Sequence, residues 1–346
     1  MKIVVRGTNW VGDAVMTIPA LRELRRIFPE SEITLHTRLW AKGIFQDADF
    51  VDEILTFEPE NSAFKTVLAH AKVLQKEQFD LAVILPNSFE SALAVKLGRV
   101  KKRFGYAKDV RSFLLTDAVK IPEWKNQKHE VFYYLNLIAE IENALFGTKS
   151  TLENEPRFGL EVSDERKSRA RKFLEENGVD LTKKIVAFCP GSTNSRAKRW
   201  QTTSYAELNN KIQNELDANV ILIGANNETD ISDEVAEKSK SKPLVLTGKT
   251  DLAEATEILS LCDLLVSNDT GPAHISAALG TKTLVIFGPT NPLTTKPWNA
   301  QIVRNNVECS PCMLRDCPID HRCMSWISAD DVFVKVKEKL STDKHG

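Results

Sequence analysis

Short apolar segments rich in β-branched residues alternate with helical patterns along the whole sequence, and this alternation restricts the fold most. In the first half, the predicted strands cover residues 3–5, 32–36, 53–57, 81–85 and 103–106. Between the first two strands, apolar residues at helical spacing predict a helix over residues 14–28. Strands that are apolar throughout and separated by helices are typical of a parallel sheet, because the crossover helices cover its faces. The sequence therefore predicts an α/β fold.

The same pattern begins again in the second half of the chain. A charged helix is predicted over residues 164–177, and predicted strands follow over residues 185–189, 220–223, 244–246, 264–266 and 283–287. A chain of 346 residues is long enough for about two domains. We therefore expect two Rossmann-like domains, residues 1–163 and residues 164–346. Ligands bind outside the carboxyl ends of parallel strands, so the two sheets are expected to face a central cleft.

The charge and hydropathy of the chain limit the classes of protein to which it can belong. Its 46 basic and 47 acidic residues leave a net charge of −1, so no overall field would attract nucleic acid. The longest apolar runs, such as residues 81–85, are far shorter than the roughly 18 residues of a transmembrane helix. The first residues enter a predicted strand without a signal-peptide pattern. These features predict a soluble, cytoplasmic protein that binds no nucleic acid.

The loop after the first strand, residues 7–13 (GTNWVGD), contains a candidate catalytic group. Its two glycines allow a tight turn close to a ligand, but the loop matches neither a Walker A sequence nor Gly-x-Gly-x-x-Gly. Neither half of the chain carries the second motif, which disfavours a dinucleotide-dependent oxidoreductase. Asp13 could simply cap the following helix. The other interpretation is a carboxylate at the carboxyl end of a strand that acts as a general base.

The loop over residues 188–200 is a candidate anion-binding loop in the second half. It follows the first predicted strand there, and it combines the hydroxyls of Ser192 and Thr193 with the charge of Lys198. Small and hydroxyl residues leave backbone N–H groups and hydroxyls accessible, and such a loop suits a diphosphate. The alternative is a solvated basic loop.

Two further strand ends carry candidate ligand-binding residues. Asp269, Thr270 and Gly271 precede a predicted helix, whose N-terminus would attract phosphate through its N–H groups and its dipole. His274 lies near the first turn of that helix, although a single histidine is more often structural. Glu228 follows another strand and resembles the acid that binds ribose hydroxyls in nucleotide folds, although an isolated glutamate is usually only solvated.

Taken together, these motifs resemble glycosyltransferase family 9, the lipopolysaccharide heptosyltransferases, and in particular its heptosyltransferase II branch. The motifs occur in both halves, in matching order: WVGD (10–13), LPNSFESAL (85–93), FCPG (188–191), AKRW (197–200), NDTGPAH (268–274) and FGPT (287–290). The resemblance implies a GT-B fold with an acceptor-binding N-terminal domain and an ADP-sugar-binding C-terminal domain.

The resemblance also implies the reaction, an inverting transfer of L-glycero-D-manno-heptose from ADP-heptose onto the first heptose of the lipopolysaccharide inner core. The acceptor would be lipid A-Kdo-heptose, reached by peripheral contact with the cytoplasmic face of the inner membrane. By resemblance, Asp13 is the base, Ser192, Thr193 and Lys198 contact the diphosphate, Glu228 binds ribose, and Asp269, Thr270, Gly271 and His274 form the sugar-diphosphate loop. No cofactor is expected for catalysis, because a lysine and a helix N-terminus can meet the charge of the leaving ADP.

A cysteine cluster departs from the family pattern. Cys309, Cys312, Cys317 and Cys323 have spacings that a zinc loop could use, but only the first pair has the Cys-x2-Cys spacing. A structural zinc is one interpretation, and a disulfide pair, which the cytosol disfavours, is the other. Some members with the same motifs lack the cluster, so a catalytic role is not implied.

Other functions remain open at this stage. One is a family 9 transferase with a different donor or acceptor, and another is a non-catalytic nucleotide-sugar binding protein, against which the intact Asp13 argues. Basic residues are concentrated over residues 96–111. We interpret most of them as a solvated face, and the alternative is a site for a phosphorylated or acidic acceptor.

Overall fold

The structure is a computed structural model, and it describes residues 1–341. The chain divides into two compact units, Met1–Gly159 and Leu160–Gly346, and each contains one six-stranded sheet. Every strand pairing described in the two sheets is parallel. The α/β class and the two parallel sheets expected from the sequence are therefore confirmed.

The first unit contains a sheet with the strand order β3-β2-β1-β4-β5-β6. Its strands are β1 (Lys2–Arg6), β2 (Glu32–Arg38), β3 (Glu53–Phe57), β4 (Leu81–Ile84), β5 (Lys102–Tyr106) and β6 (Asp117–Val119). Its helices are α1 (Val11–Met16), α2 (Ile18–Ile27), α3 (Lys42–Phe45), α4 (Ala63–Glu77), α5 (Phe89–Leu97) and α6 (Glu130–Phe146). The five predicted strands are present, and β6 is an additional one.

The helix predicted over residues 14–28 is in fact two helices, α1 and α2, separated at Thr17. The Thr17 hydroxyl donates to the backbone carbonyl of Ala14 (2.6 Å). Pro19, in the first turn of α2, has no N–H to continue the hydrogen bonding of a single helix. The first helix begins at Val11, so Asp13 belongs to its first turn.

The second unit contains a sheet with the strand order β12-β11-β10-β7-β8-β9. Its strands are β7 (Ile185–Cys189), β8 (Asn219–Leu222), β9 (Leu244–Val245), β10 (Leu264–Asn268), β11 (Lys282–Phe287) and β12 (Gln301–Arg304). Its helices are α7 (Asp164–Glu176), α8 (Thr202–Leu216), α9 (Thr229–Lys238), α10 (Leu252–Leu261), α11 (Gly271–Ala278), α12 (Pro292–Thr295), α13 (Arg322–Ser325) and α14 (Ala329–Ser341). The predicted strands are again present, and β12 is additional.

The central strands β1 and β7 mark the place in each sheet where the strand order reverses. In each unit, later strands add on both sides of this first strand. Every residue of β7 and of β10 is buried, and full burial of one large apolar side chain contributes about 1.5–3 kcal/mol. The loops that follow these rigid strands are the expected ligand sites of doubly wound sheets.

None of the helices within residues 1–341 combines the length and the apolar composition needed to span a membrane.

Candidate active site

The candidate donor site lies at the carboxyl edge of the second sheet, where the loops after β7, β8 and β10 are neighbours. Asn268, the last residue of β10, is fully buried and connects two of them. Its Nδ2 donates to the Pro190 carbonyl (2.7 Å), and its Oδ1 accepts from the backbone N–H of Trp200 (3.0 Å) and from the Tyr205 hydroxyl (3.2 Å). This amide therefore fixes both ends of the loop after β7. The sequence analysis gave Asn268 no role.

Lys198 and Asp269 form an ion pair at this edge. Lys198 Nζ lies 2.9 Å from Asp269 Oδ2 and donates to the Asp269 carbonyl (3.2 Å). Asp269 is buried, and its Oδ2 also accepts from the Thr290 hydroxyl (2.7 Å). The Lys198 side chain is 27% exposed, so a ligand can reach its ammonium from solvent. The structure thus brings two of the predicted site residues together and adds Thr290, which lies in the FGPT motif.

Glu228 packs directly on the backbone of Gly191. A Cβ at Gly191 would lie 2.3 Å from the carboxyl carbon of Glu228, so any other residue here would displace the Glu228 carboxylate. Glu228 is buried and accepts from the Thr193 hydroxyl (3.1 Å) and from the Ala225 N–H (3.0 Å). The alternative of a solvated glutamate is therefore wrong. Burial, with the negative charge of Glu228 as a second cause, raises the pKa of the Cys189 thiol to about 12.

The loop after β7 is held in place by its own basic residues. Arg199 donates to the Ser192 carbonyl through Nη2 (3.0 Å) and through Nε (3.3 Å). Ser192 is itself buried. Because Lys198 is ion-paired and Arg199 secures the loop, the alternative of a solvated basic loop is wrong for these two residues.

Helix α11 begins at the same edge, with Thr270 as its N-cap in an extended conformation. The Thr270 hydroxyl lies 3.1 Å from the Ser267 hydroxyl and donates to the Asn268 carbonyl (3.3 Å), so its side chain is bound within the protein. Gly271 is partly exposed and opens the first turn, at the positive end of the helix dipole. His274, also in this first part of the helix, is buried.

The segment that contains the cysteine cluster, residues 309–323, packs against the loop after β7. The Arg315 carbonyl accepts from the Ala197 N–H (2.9 Å) and from the Ser195 hydroxyl (3.1 Å). The His321 ring nitrogen Nε2 lies 2.6 Å from the Ala197 carbonyl, and Arg196 pairs with Asp316 (2.6 Å). The segment therefore supports the candidate donor loop from outside.

The cysteines themselves do not form a metal site in this structure. Cys309 and Cys312 are exposed, Cys317 is half-buried, Cys323 is buried, and all of them are free thiols. Burial, followed by the charges of the other three thiols, raises the pKa of Cys323 to about 11. Across residues 1–341, no three His, Cys, Asp or Glu side chains are placed to hold a metal ion. The structural zinc therefore remains a prediction without structural support.

In the first unit, Asp13 accepts a hydrogen bond from a tyrosine that lies much later in the sequence of that unit. The Tyr134 hydroxyl on α6 donates to Asp13 Oδ1 (3.3 Å). Burial, and after it the negative charge of Asp13, raises the pKa of Tyr134 well above its usual value, so the hydroxyl stays protonated and keeps donating. The N-cap of α1 is Trp10, so the alternative in which Asp13 is the capping residue is wrong. The sequence pattern does not predict a role for Tyr134.

A buried arginine organises the loop after β4 in the same unit. Arg111 has no exposed surface and donates to the carbonyls of Pro86, Ser88 and Tyr106. Burial lowers its pKa to about 10. The interpretation of the basic run as a solvated face is therefore wrong for Arg111, whereas Lys96, Arg99, Lys101, Lys102 and Lys108 are exposed.

Two doubly wound parallel units, with candidate ligand loops at the strand ends, are typical of the GT-B fold of glycosyltransferases. The solved structure of E. coli ADP-heptose lps heptosyltransferase II superimposes with a TM-score of 0.84 at 25% identity and covers 98% of both chains. The structure of a glycosyl transferase family 9 protein from Veillonella parvula has the same fold, with a TM-score of 0.85 at 20% identity, over 98% of this chain and 97% of that one. The predicted fold class is confirmed.

Residues 67–322 match glycosyltransferase family 9 (heptosyltransferase), and the chain belongs to this family. It is similar to lipooligosaccharide heptosyltransferase 2 of Haemophilus ducreyi, at 30% identity over 88% of each chain. It is also similar to lipooligosaccharide heptosyltransferase 2 of Campylobacter jejuni, at 29% identity over 99% of this chain and all of that one. The protein is therefore a glycosyltransferase enzyme, as the sequence motifs predicted.

Proposed function

We propose that this enzyme transfers heptose from ADP-heptose, with inversion, onto the first heptose of the lipopolysaccharide inner core. The proposal rests mainly on one observation at the carboxyl edge of the second sheet. Lys198, Glu228 and Asp269 lie there on the three neighbouring loops that follow β7, β8 and β10. A cation, a helix N-terminus and a buried acceptor for ribose hydroxyls are the groups that bind a nucleoside diphosphate sugar. The names of the relatives support heptose as the transferred sugar.

In this proposal, the protein binds the donor through charged and hydroxyl side chains and through backbone groups. Ser192, Thr193 and Lys198 bind the diphosphate, and Glu228 accepts hydrogen bonds from the ribose hydroxyls. The sugar-diphosphate loop consists of Asp269, Thr270, Gly271 and His274. The hydrogen bonds that hold Glu228 and Asp269 in place support these roles, because a site on fixed side chains binds its ligand without ordering them first.

The proposed chemistry is a single displacement with Asp13 as the base. The acceptor hydroxyl oxygen attacks the anomeric carbon of the donor heptose, and the bond from that carbon to the diphosphate oxygen breaks. The hydroxyl proton goes to the Asp13 carboxylate, and ADP leaves with the electron pair of the broken bond. Attack from the opposite side inverts the anomeric configuration. The hydrogen bond from Tyr134 supports this role because it orients the carboxylate.

The leaving ADP needs positive charge, and this chain can supply it without a cofactor. Lys198 is paired with a single carboxylate, that of Asp269. A diphosphate carries more negative charge than one carboxylate and competes for the same ammonium. Together with the dipole of α11, this lysine stabilises the charge that develops on the leaving oxygen. No metal is part of the proposed reaction.

The lipid-linked acceptor implies peripheral contact with the cytoplasmic face of the inner membrane. Side chains of the first unit support this part of the proposal. The exposed rings of Phe89 and Phe113 lie 6.1 Å apart, and Lys96 Nζ lies 5.5 Å from the second ring. Val110 is 87% exposed in the preceding turn. Apolar and basic side chains together suit a bilayer surface with anionic headgroups.

The proposal is tested by product analysis. The purified enzyme is incubated with ADP-heptose and with truncated core acceptors that either carry or lack the first heptose, and products are measured by mass. We expect one heptose to be added to the heptose-bearing acceptor and none to the other. Transfer to the heptose-free acceptor would place the enzyme in another branch of the family. Donor binding without transfer to either acceptor would indicate a binding protein or a different acceptor.

A further inference from the structure

An unusual group of buried polar atoms lies in the first unit, between the sheet and α4. Among residues 1–341, eight buried side-chain nitrogen or oxygen atoms have no hydrogen-bond partner. Six of the eight lie on β1, the loop that follows it, β2 and α4: Arg6 Nε, Thr8 Oγ1, Thr34 Oγ1, His36 Nδ1, Arg38 Nε and His70 Nε2. Native proteins pair nearly all such atoms, so this concentration of polar groups is suited to a polar occupant.

Four of these residues surround one aromatic ring, that of Phe57 on β3. The Arg6 guanidinium lies 4.1 Å from the ring centroid, and the Arg38 guanidinium lies 5.9 Å from it. The rings of His36 and His70 lie 4.9 and 4.1 Å from the Phe57 ring and 5.0 Å from each other. We call Arg6, His36, Arg38 and His70 the Phe57 cluster.

The charge of the Phe57 cluster is not balanced. Arg6 is 6% exposed, and within the described chain it has no carboxylate at ion-pair distance. Its guanidinium donates to the carbonyls of Gly7 (2.7 Å) and His36 (3.4 Å) and to Asn9 Oδ1 (3.4 Å). The only acid that pairs with this cluster in residues 1–341 is the exposed Glu58, on Arg38 (3.2 Å). Buried charges are normally paired, so Arg6 lacks a counter-charge.

The two histidines cannot add to that positive charge at neutral pH. Burial, and then the charge of Arg6, lowers the pKa of His36 to about 3 and that of His70 to about 4. Burial, with Arg38 as a second cause, lowers the pKa of Arg6 to about 9. Neutral imidazoles can donate an N–H to an anion, and Arg6 is still charged at neutral pH.

The position of the Phe57 cluster relates it to the proposed acceptor side. Arg6 is the last residue of β1, and the next loop leads to Asp13. Asn9, which the Arg6 guanidinium contacts, is exposed, and Arg38 is partly exposed, so the cluster has an open edge on this loop. Ligands of parallel sheets bind at this end of the strands.

We propose that the Phe57 cluster is an oxyanion-binding subsite that holds a phosphate or carboxylate group of the sugar acceptor. This inference rests on the proposed function for the identity of the acceptor, but the binding of an oxyanion does not. The anion supplies the counter-charge that Arg6 lacks, and its oxygens accept from Arg6, Arg38 and the two imidazoles. Buried water is the competing occupant, since water can also satisfy such atoms.

The first test uses inorganic phosphate as the probe and needs no turnover. The melting temperature of the full-length protein is measured against phosphate concentration at constant ionic strength, with ADP present to fill the donor site. The variant is Arg6→Met, which keeps an apolar stem on Phe57. The matched control is Arg22→Met, because Arg22 also lies over a ring (Phe50, 4.8 Å) and has an unpartnered Nε but is paired with Asp49 (3.0 Å).

We expect phosphate at tenfold its Kd to raise the melting temperature of the wild type and of Arg22→Met by about 3 °C. Arg6→Met should show no such rise. If Arg6→Met fails to fold, Arg38→Met takes its place, because that side chain is partly exposed and its loss should weaken phosphate binding about tenfold. Equal shifts in all variants, or no shift in the wild type, would overturn the subsite in favour of water.

The second test distinguishes an acceptor group from free phosphate. The KM for the acceptor is measured with acceptors that carry or lack the anionic group, at saturating ADP-heptose. Arg6→Met should raise the KM of the anionic acceptor roughly 10- to 100-fold, the loss expected for one charge-assisted hydrogen bond, and leave that of the neutral acceptor unchanged. If phosphate binding depends on Arg6 but neither KM changes, the subsite holds free phosphate and the acceptor assignment is wrong. An inactive wild type that still binds phosphate through Arg6 would contradict the proposed function alone.

Discussion

Replacing Lys198 by Met tests the donor site in two independent ways. Methionine keeps an apolar stem of similar reach and removes the ammonium that lies 2.9 Å from Asp269. Without donor, the buried Asp269 carboxylate loses its cation and keeps the hydrogen bond from Thr290. Breaking a fully buried pair costs about 3–5 kcal/mol and an exposed pair about 0–1 kcal/mol, and Lys198 is 27% exposed. We therefore expect the free energy of unfolding to fall by about 2 kcal/mol.

With donor bound, the same variant loses one charged contact to the leaving diphosphate. A contact of this kind stabilises the transition state by about 2–4 kcal/mol, so kcat should fall by about 30- to 900-fold. Stability is measured by denaturant unfolding without donor, and rates are measured at saturating and limiting ADP-heptose. Lys211→Met is the matched control, because Lys211 has similar exposure and pairs with the exposed Asp330 (2.7 Å). A rate for Lys198→Met within a few-fold of the wild type at both concentrations would refute the assignment.

Three further changes test other parts of the account. Tyr134→Phe removes the hydroxyl that donates to the carboxylate of the proposed base, and kcat should fall about 10- to 100-fold, the value of one hydrogen bond to a charged group, with donor KM unchanged in steady-state assays. Gly191→Ala places a carbon 2.3 Å from the Glu228 carboxyl carbon, so KM for ADP-heptose should rise at least about tenfold by titration. Burial opposes ionisation of Glu142, but hydrogen bonds, that from Ser150 first, lower its pKa to about 2. The ionised Glu142 carboxylate therefore contributes its full stabilisation above about pH 4.5, and this stabilisation is lost as the pH falls toward 2. In melting curves measured over this pH range, Glu142→Gln should lack this part of the decrease in melting temperature.

The sequence predicted the strands well where burial is complete. Strands such as β7 are apolar at every position because both faces are covered, and this pattern is local. It failed for β6 (DAV) and β12 (QIVR), in each of which only two apolar residues follow one another. The sequence also predicted one helix in place of α1 and α2, because apolar residues keep a helical spacing across Thr17. Pro19 nevertheless interrupts the hydrogen bonding there.

Some of the site residues could likewise be predicted from the sequence, and others could not. Asp13 and Lys198 could be selected because each follows a strand, and strand ends are where ligands bind. Tyr134 could not, because it lies 121 residues from Asp13 and nothing in its helix marks the contact. Arg6, His36 and His70 belong to an ordinary strand and helix pattern, and only the folded structure shows that their buried polar atoms lack partners.

The role of Asp13 is the central claim, and one variant tests it most directly. Asp13→Asn keeps the shape of the side chain and an oxygen that can accept from Tyr134, but it cannot take a proton from the acceptor hydroxyl. Three quantities are measured on this variant, namely the melting temperature, the Kd for ADP-heptose and the rate of heptose transfer.

We expect a melting temperature close to that of the wild type, because Asn can still accept from Tyr134 and the charge lost at the helix N-terminus contributes only about 0.3–1 kcal/mol. We also expect an unchanged Kd, because the proposed donor site belongs to the second unit. The transfer rate should fall by about two to four orders of magnitude, the usual contribution of general-base catalysis. A transfer rate within a few-fold of the wild type would contradict the account and remove Asp13 from the mechanism.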